Sequence, residues 1–304
     1  MSSISDISLR YNMRRNALPS FQKVEALLDS KNLSQEAALL APDFLQPSRN
    51  SSDFKNLKEY FDHEYSRQKA EMMHWLPAHS FSYQYLALYH DIRRLHDFYL
   101  KYFEKKESYT KEQLYAVVDH LMILKAEKEA IMTVNARIDV AASSFEFFAQ
   151  LDQVYFQALK NASSGAGEFV RLFVGVKIDS FNLMTLYRLE RMSKQHLNNR
   201  FLVENPYGIS ISSLLMQPLQ ELVQKRFGFT GLTDYEDLEK RLMIRELQFL
   251  GKSIFYGLGE EVVLLCTEMM ACFFYDLKLI AIAQELSSEK QEIKNHLINY
   301  DLHL

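Results

Sequence analysis

A chain of 304 residues is long enough for one large domain or for two to three smaller units with cores of their own. With 48% hydrophobic and 24% charged residues it is no disordered tail, and a net charge of −4 lacks the basic excess of a phosphate-binding surface, so nucleic acid is not an expected partner. Glycine (9) and proline (6) fall far below the roughly 21 and 15 that average usage gives, which excludes a turn-rich sheet protein and favours long helices.

The first fifteen residues are polar and carry no apolar signal-peptide core. Short amphipathic helices are expected over 20–31 and 34–46, separated at Asn32–Leu33. Asn50, Ser51, Ser52 and Asp53 offer N-cap side chains for a helix running to about Trp75. Pro77 and Ser80 break it, and a tyrosine-rich helix follows over 81–105. Thr110 with Gln113 reads as a capping box that opens one very long helix reaching about Asn161.

Ser163-Ser164-Gly165-Ala166-Gly167 is the clearest break in the chain. Apolar residues from Phe169 to Leu189 then recur at helical spacing up to about Asn199, and Asn205-Pro206-Tyr207-Gly208 marks a second break. Thr233 with Glu236 suggests another capping box, Gly257 and Gly259 precede the last long apolar helix, and Ser288 with Gln291 caps a short terminal one. That last long helix is interrupted by Glu268, Asp276 and Lys278, too costly for a simple membrane span. Cys266 and Cys272, six apart, fit neither a CxxC pair nor a disulfide framework and read as buried thiols of a reducing compartment. The expected fold class is all-α.

No residue pattern nominates a catalytic site, and no cofactor is expected. A di-iron bundle needs two Glu-x-x-His pairs, and the chain offers one, Glu71-Met-Met-His74. Gly165-Ala-Gly167 and Gly257-Leu-Gly259 complete neither dinucleotide nor P-loop motifs. The cluster of Arg188, Glu190 and Arg191 reads as a solvated helix face. The aromatic load (13%), concentrated at 81–103, 145–156 and 255–275, fits cores and protein–protein interfaces.

Three segments share one polar–apolar grammar at what reads as the start of a basic amphipathic helix. They are Asp91-Ile-Arg-Arg94-Leu95, Asp179-Ser-Phe-Asn182-Leu183 and Phe273-Phe-Tyr-Asp276-Leu277. Aligning Arg94, Asn182 and Asp276 gives spacings of 182 − 94 = 88 and 276 − 182 = 94 residues, a period that fits three units over 1–105, 106–205 and 206–304.

The second segment, within Phe169–Arg188, resembles the D-x-x-N-L-x-T-L-x-R stretch of the C-subunit family of V-type and archaeal-type rotary ATPases. Leu151-Asp152-Gln-Val-Tyr155-Phe156 upstream is similar to that family's L-D-x-x-Y-F helix. Tyr89-His-Asp91-Ile92-Arg-Arg94-Leu95 resembles its first-repeat Y-D-I-x-N-L with Arg94 for Asn, and Asp276-Leu277-Lys278-Leu279-Ile280 its N-L-R-L-I with Asp276 for Asn. Tyr11-Asn-Met-Arg14 and the helices to Leu45 resemble the family's opening.

The resemblance implies a divergent member: a pseudo-threefold, funnel-shaped, non-catalytic central-stalk component. Such a socket sits on the membrane rotor ring at the cytoplasmic side, receives the end of the central shaft and couples ATP turnover to ion transport. On this reading Asp91, Arg94, Asp179, Asn182, Arg188 and Asp276 line or brace the central opening. The competing expectation is a helical adaptor or regulatory binding module unrelated to ATPases.

Overall fold

The shortage of glycine and proline is realised as helix after helix, with no strand among the described residues. The computed structural model describes residues 4–45, 56–105, 108–138, 144–192, 198–252 and 259–300. In chain order, α1 spans Ile4–Ala17, α2 Phe21–Glu25, α3 Leu33–Leu40, α4 Leu57–Met73 and α5 Phe81–Lys105. Then come α6 Lys111–Asp119, α7 Lys128–Asn135, α8 Ser144–Ser163, α9 Glu168–Arg191 and α10 Asn198–Phe201. The chain continues with α11 Ile211–Leu215, α12 Leu219–Phe227, α13 Tyr235–Gly251, α14 Glu260–Leu286 and α15 Lys290–His296. None of the described helices is long and apolar enough to cross a membrane.

By internal contacts the chain divides into two units, one made of Met1–Leu76 with Leu232–Leu304 and the other of Pro77–Gly231. This is a division by packing, whereas the three windows expected above are a division by repeat, so one does not decide the other.

The first unit is built around α14, which packs against α1, α4, α13 and α15. Its core is aromatic. Phe273 meets Phe44 edge-on at 6.1 Å, Phe274 meets Tyr65 at 5.3 Å, and the buried Tyr11 hydroxyl donates to the Met72 carbonyl at 2.9 Å. Cys266 and Cys272 are buried and form no disulfide, and burial pushes the Cys266 thiol up to about 12, leaving it a packing residue. Glu71, from the lone Glu-x-x-His pair, is engaged by Arg14 at 3.1 Å.

In the second unit α8 packs against α5, α7 and α9. Tyr99 meets Phe147 edge-on at 4.5 Å, and the hydroxyls of Tyr99 and Tyr109 both donate to Asn135 Oδ1. Burial drives the Tyr99 phenol well above its ordinary value, so it remains a neutral donor.

Local signals fix several boundaries where expected. Ser80 accepts from the Tyr83 N–H ahead of α5, the Thr110/Gln113 capping box opens α6, and α9 begins after the loop ending at Gly167. Three expectations need correction. The single helix from 110 to 161 is instead α6, a 3-10 turn at Leu124–Glu127, α7 and α8. The N-cap of α13 is Asp234, which accepts from Asp237 N–H, with Thr233 one residue outside it. Ser288 caps no helix, because α15 has Glu289 at its N-cap, and the Ser288 N–H closes the end of α14 on the Ala283 carbonyl at 3.0 Å, after the left-handed Ser287 (φ 53°). The candidate caps at 50–53, like Gly257, lie outside the described residues.

Two glycines permit one close approach in the second unit. A Cβ on Gly175 would lie 2.9 Å from Tyr207 Cβ, and one on Gly208 would lie 2.3 Å from Asn205 Nδ2 and 2.8 Å from both Asp179 carboxyl oxygens. Gly208→Ala is therefore expected to destabilise the chain by about 1–3 kcal/mol in a denaturant titration. Gly165→Ala, which meets nothing within 4 Å, should leave the midpoint nearly unchanged.

Candidate functional site

The residues singled out by the repeat lie in the interiors of α5, α9 and α14, not at helix starts. Asp91, Asp179, Asn182 and Asp276 are buried, and each reaches across to main-chain or side-chain groups of a segment that follows its helix. An unpaired N–H or C=O away from water costs about 1–3 kcal/mol, so such reaching side chains fix where a return segment can lie.

The clamp on α9 is complete. Asn182 Nδ2 donates to the Val203 carbonyl and Asn182 Oδ1 accepts the Val203 N–H, both at 2.8 Å, in a fully buried position. One turn earlier, Asp179 Oδ1 accepts from Asn205 Nδ2 at 2.6 Å and from the Ile209 N–H at 3.0 Å. Asn205 also donates to the Gly175 carbonyl at 2.7 Å and accepts the Tyr207 N–H at 3.0 Å. The break at Asn205–Gly208 is thus bound to α9 through its amide and backbone.

On α5 the same i, i+3 pair of positions divides the work. Asp91 accepts the N–H groups of Met122, Ile123 and Leu124 at 2.8, 2.6 and 2.8 Å, and the exposed Arg94 donates to the His120 carbonyl at 3.3 Å. These bonds are the physical reason that the expected long helix is interrupted here, since the N–H groups of 122–124 are taken by a side chain. Burial raises the Asp91 carboxyl above the usual carboxylate range, opposed by the three N–H donors and the Arg94 guanidinium.

On α14 only half of the clamp exists. Asp276 Oδ1 accepts the Ile298 N–H at 2.8 Å, while Oδ2 is buried without a hydrogen-bond partner. Burial holds this carboxyl well above the usual range, opposed by the Ile298 N–H and by Lys240. From clamp residue to the bonded N–H the spacing is 203 − 182 = 21 residues on α9 and 298 − 276 = 22 on α14.

Arg188, the remaining sequence candidate, is exposed near the end of α9 and lies over the Phe145 ring at 5.8 Å. Asp152 of the upstream helix comes within 3.1 Å of His96 Nε2, a close approach without hydrogen-bond alignment.

A cavity of about 430 Å³ opens in the second unit among α7, α8 and the segment 200–204. It is lined by Arg137, Lys160, Arg200, Glu127, Glu204 and Thr133 among others, with no histidine, cysteine or serine. Among the described residues no group of His, Cys, Asp and Glu is gathered in a metal-binding arrangement.

Sequence reading identifies Asn205 only as a turn former and misses the receiving segments at 122–124, 203 and 298. The Asn205-Pro206 dipeptide is the one signal near the second of these, Val203. Compared with known proteins, the chain matches no family model and no curated relative.

Asn182→Ala should orphan both main-chain groups of Val203. The expected loss of stability is on the order of 3 kcal/mol, with faster amide exchange concentrated at 201–205. Asn182→Asp should retain part of that stability at low pH and lose it as pH rises, because the ionised form has no donor for the Val203 carbonyl.

Proposed function

We propose that the chain is a non-catalytic, central-stalk socket of a V/A-type rotary ATPase. It would join the shaft to the membrane rotor ring on the cytoplasmic face as a pseudo-threefold funnel of helical units. The observation that carries this reading is the clamp repeated on α9 and α14, at the two positions where the resemblance aligns the family's amide. The spacing to the gripped backbone agrees to one residue. A third, divided version occupies the position aligned with the first repeat.

A torque-bearing socket needs stiff helices whose connections cannot slide, and buried side-chain-to-backbone bonds supply that. In this role Asp91, Asp179, Asn182 and Asp276 brace the helices from within. Arg94 and Arg188, both exposed, present positive charge to a partner. Exposed Leu9 and Met13, one turn apart on α1, add an apolar contact of the kind that protein interfaces use.

Tagged chain isolated from membranes of its own source should retain shaft and ring components of a rotary ATPase, identified by mass spectrometry. Deleting its gene should abolish ATP-driven ion pumping while ATP hydrolysis by the catalytic head persists. Retention of an unrelated partner with pumping intact would instead establish the adaptor reading. Arg188→Glu should weaken retention of the shaft by tenfold or more (about 1.4 kcal/mol) without changing the thermal midpoint by more than a few degrees.

A further inference from the structure

Asn182 and Asp276 sit at matching places on their helices, and each takes the N–H of a residue 21 or 22 positions on. They differ in one atom. Asn182 has a second N–H for the carbonyl of Val203, whereas the corresponding Asp276 oxygen, Oδ2, is buried and unpartnered. A carboxylate has no donor to put there. A neutral carboxyl does, and its O–H occupies the position from which the Asn182 amide donates.

The segment held this way is the end of the described chain. It turns back from α14 at Ser287, continues through α15 and buries Ile293, Leu297, Ile298 and Tyr300. The Tyr300 hydroxyl donates to the Pro19 carbonyl at 2.7 Å, and Lys290 and Lys294 pair with Asp29 and Glu25 at the surface. The Asp276–Ile298 bond is thus a buried polar tie, beside that of Tyr300 to Pro19, of a segment held for the rest by apolar packing, the Lys240 bond to Asn295 and screened ion pairs.

We propose that Asp276 is a proton-operated latch: as the neutral acid it grips the main chain at Ile298, and its ionisation loosens the segment 287–300. The reaction is a simple acid dissociation, with the proton leaving Oδ2 for water as the segment opens. The charged group facing Asp276 is Lys240 of α13, half-buried and donating to the Asn295 carbonyl at 2.6 Å. The α15 side presents the Ile298 N–H, and the neighbouring Tyr275 on α14 is held neutral by burial. Glu236 and Glu239 of α13 act on Tyr275, and on the α4 side Asp62 is paired with Lys278 at 3.0 Å.

The direction follows from linkage. The closed state binds the proton more tightly than the open one, so the latch is complete below the ordinary carboxylate range. It weakens as pH rises from there to the raised value of the closed state, and changes no further above it. Within that window protection should fall by about tenfold per pH unit.

Hydrogen exchange of the C-terminal peptide of the full chain, corrected for intrinsic rates from mildly acidic to mildly alkaline pH, tests this. Wild type should show the sloping loss at 297–299. D276N, which donates and accepts without titrating, should be flat and at least as protected as wild type at low pH. A flat wild-type profile, or the same slope in D276N, overturns the latch. Infrared spectroscopy gives a second reading: a neutral-carboxyl C=O band should be present in wild type at mildly acidic pH and lost in D276N. Its absence from the difference spectrum overturns the proposal even if the variant folds poorly.

Discussion

The structure depends on one interaction, a polar side chain in the middle of a buried helix that holds the main chain of a segment arriving later. A protein of long helices with few turns has a specific difficulty. Its connections must cross apolar helix surfaces, where their N–H and C=O groups lose water and cannot join a helix ladder. The bonds from Asn182 to Val203 answer this at 2.8 Å on both sides of one residue. Asp and Asn are modest helix formers, and their presence inside α9 is carried by Phe173, Val174, Ile178, Leu183, Leu186 and Leu189, all buried along the same helix.

The three versions of the clamp differ in how donor and acceptor are provided. On α9 a single amide supplies both, with Asp179 adding acceptors one turn away. On α5 a carboxylate accepts three N–H groups and a guanidinium supplies the donor. That arrangement places charge near solvent, with Arg94 exposed. On α14 the acceptor is present and the donor depends on a proton. Arg94 and Asp276, at the positions aligned with Asn182, therefore keep a hold on the returning backbone while changing its chemistry, most of all on α14.

What could be read in the sequence was whatever is decided locally. The break at Gly165–Gly167, the stop before Ser80 and the box at Thr110 depend on residues within four positions of one another, and all appear where expected. The interruption after α6 was not legible, because its cause, Asp91, lies 31 to 33 residues upstream. The shift of the α13 cap from Thr233 to Asp234 is a competition between adjacent oxygens that spacing alone does not rank. Ser288 has the side chain of a cap and is not one, since α15 starts one residue later with Glu289 at its N-cap, and the Ser288 N–H closes α14. The residues of the three segments were picked out, but their placement was misread: positions read as polar helix starts are helix-interior ones, and Asp91, Asp179, Asn182 and Asp276 are buried and bonded to groups distant in sequence.

That placement reshapes the rotary reading rather than removing it. If the repeated acids and amides grip this chain's own backbone, they are not the groups that touch a shaft. Partner recognition then falls to side chains that keep their heads in water, Arg94 and Arg188, and to apolar residues left uncovered such as Leu9 and Met13. On the proposed rotary reading, the buried clamps supply what a mechanical part needs, which is fixed connections between stiff helices. Contact residues would then be free to follow the partner, so the resemblance would be expected to concentrate in the clamps and to be loose elsewhere.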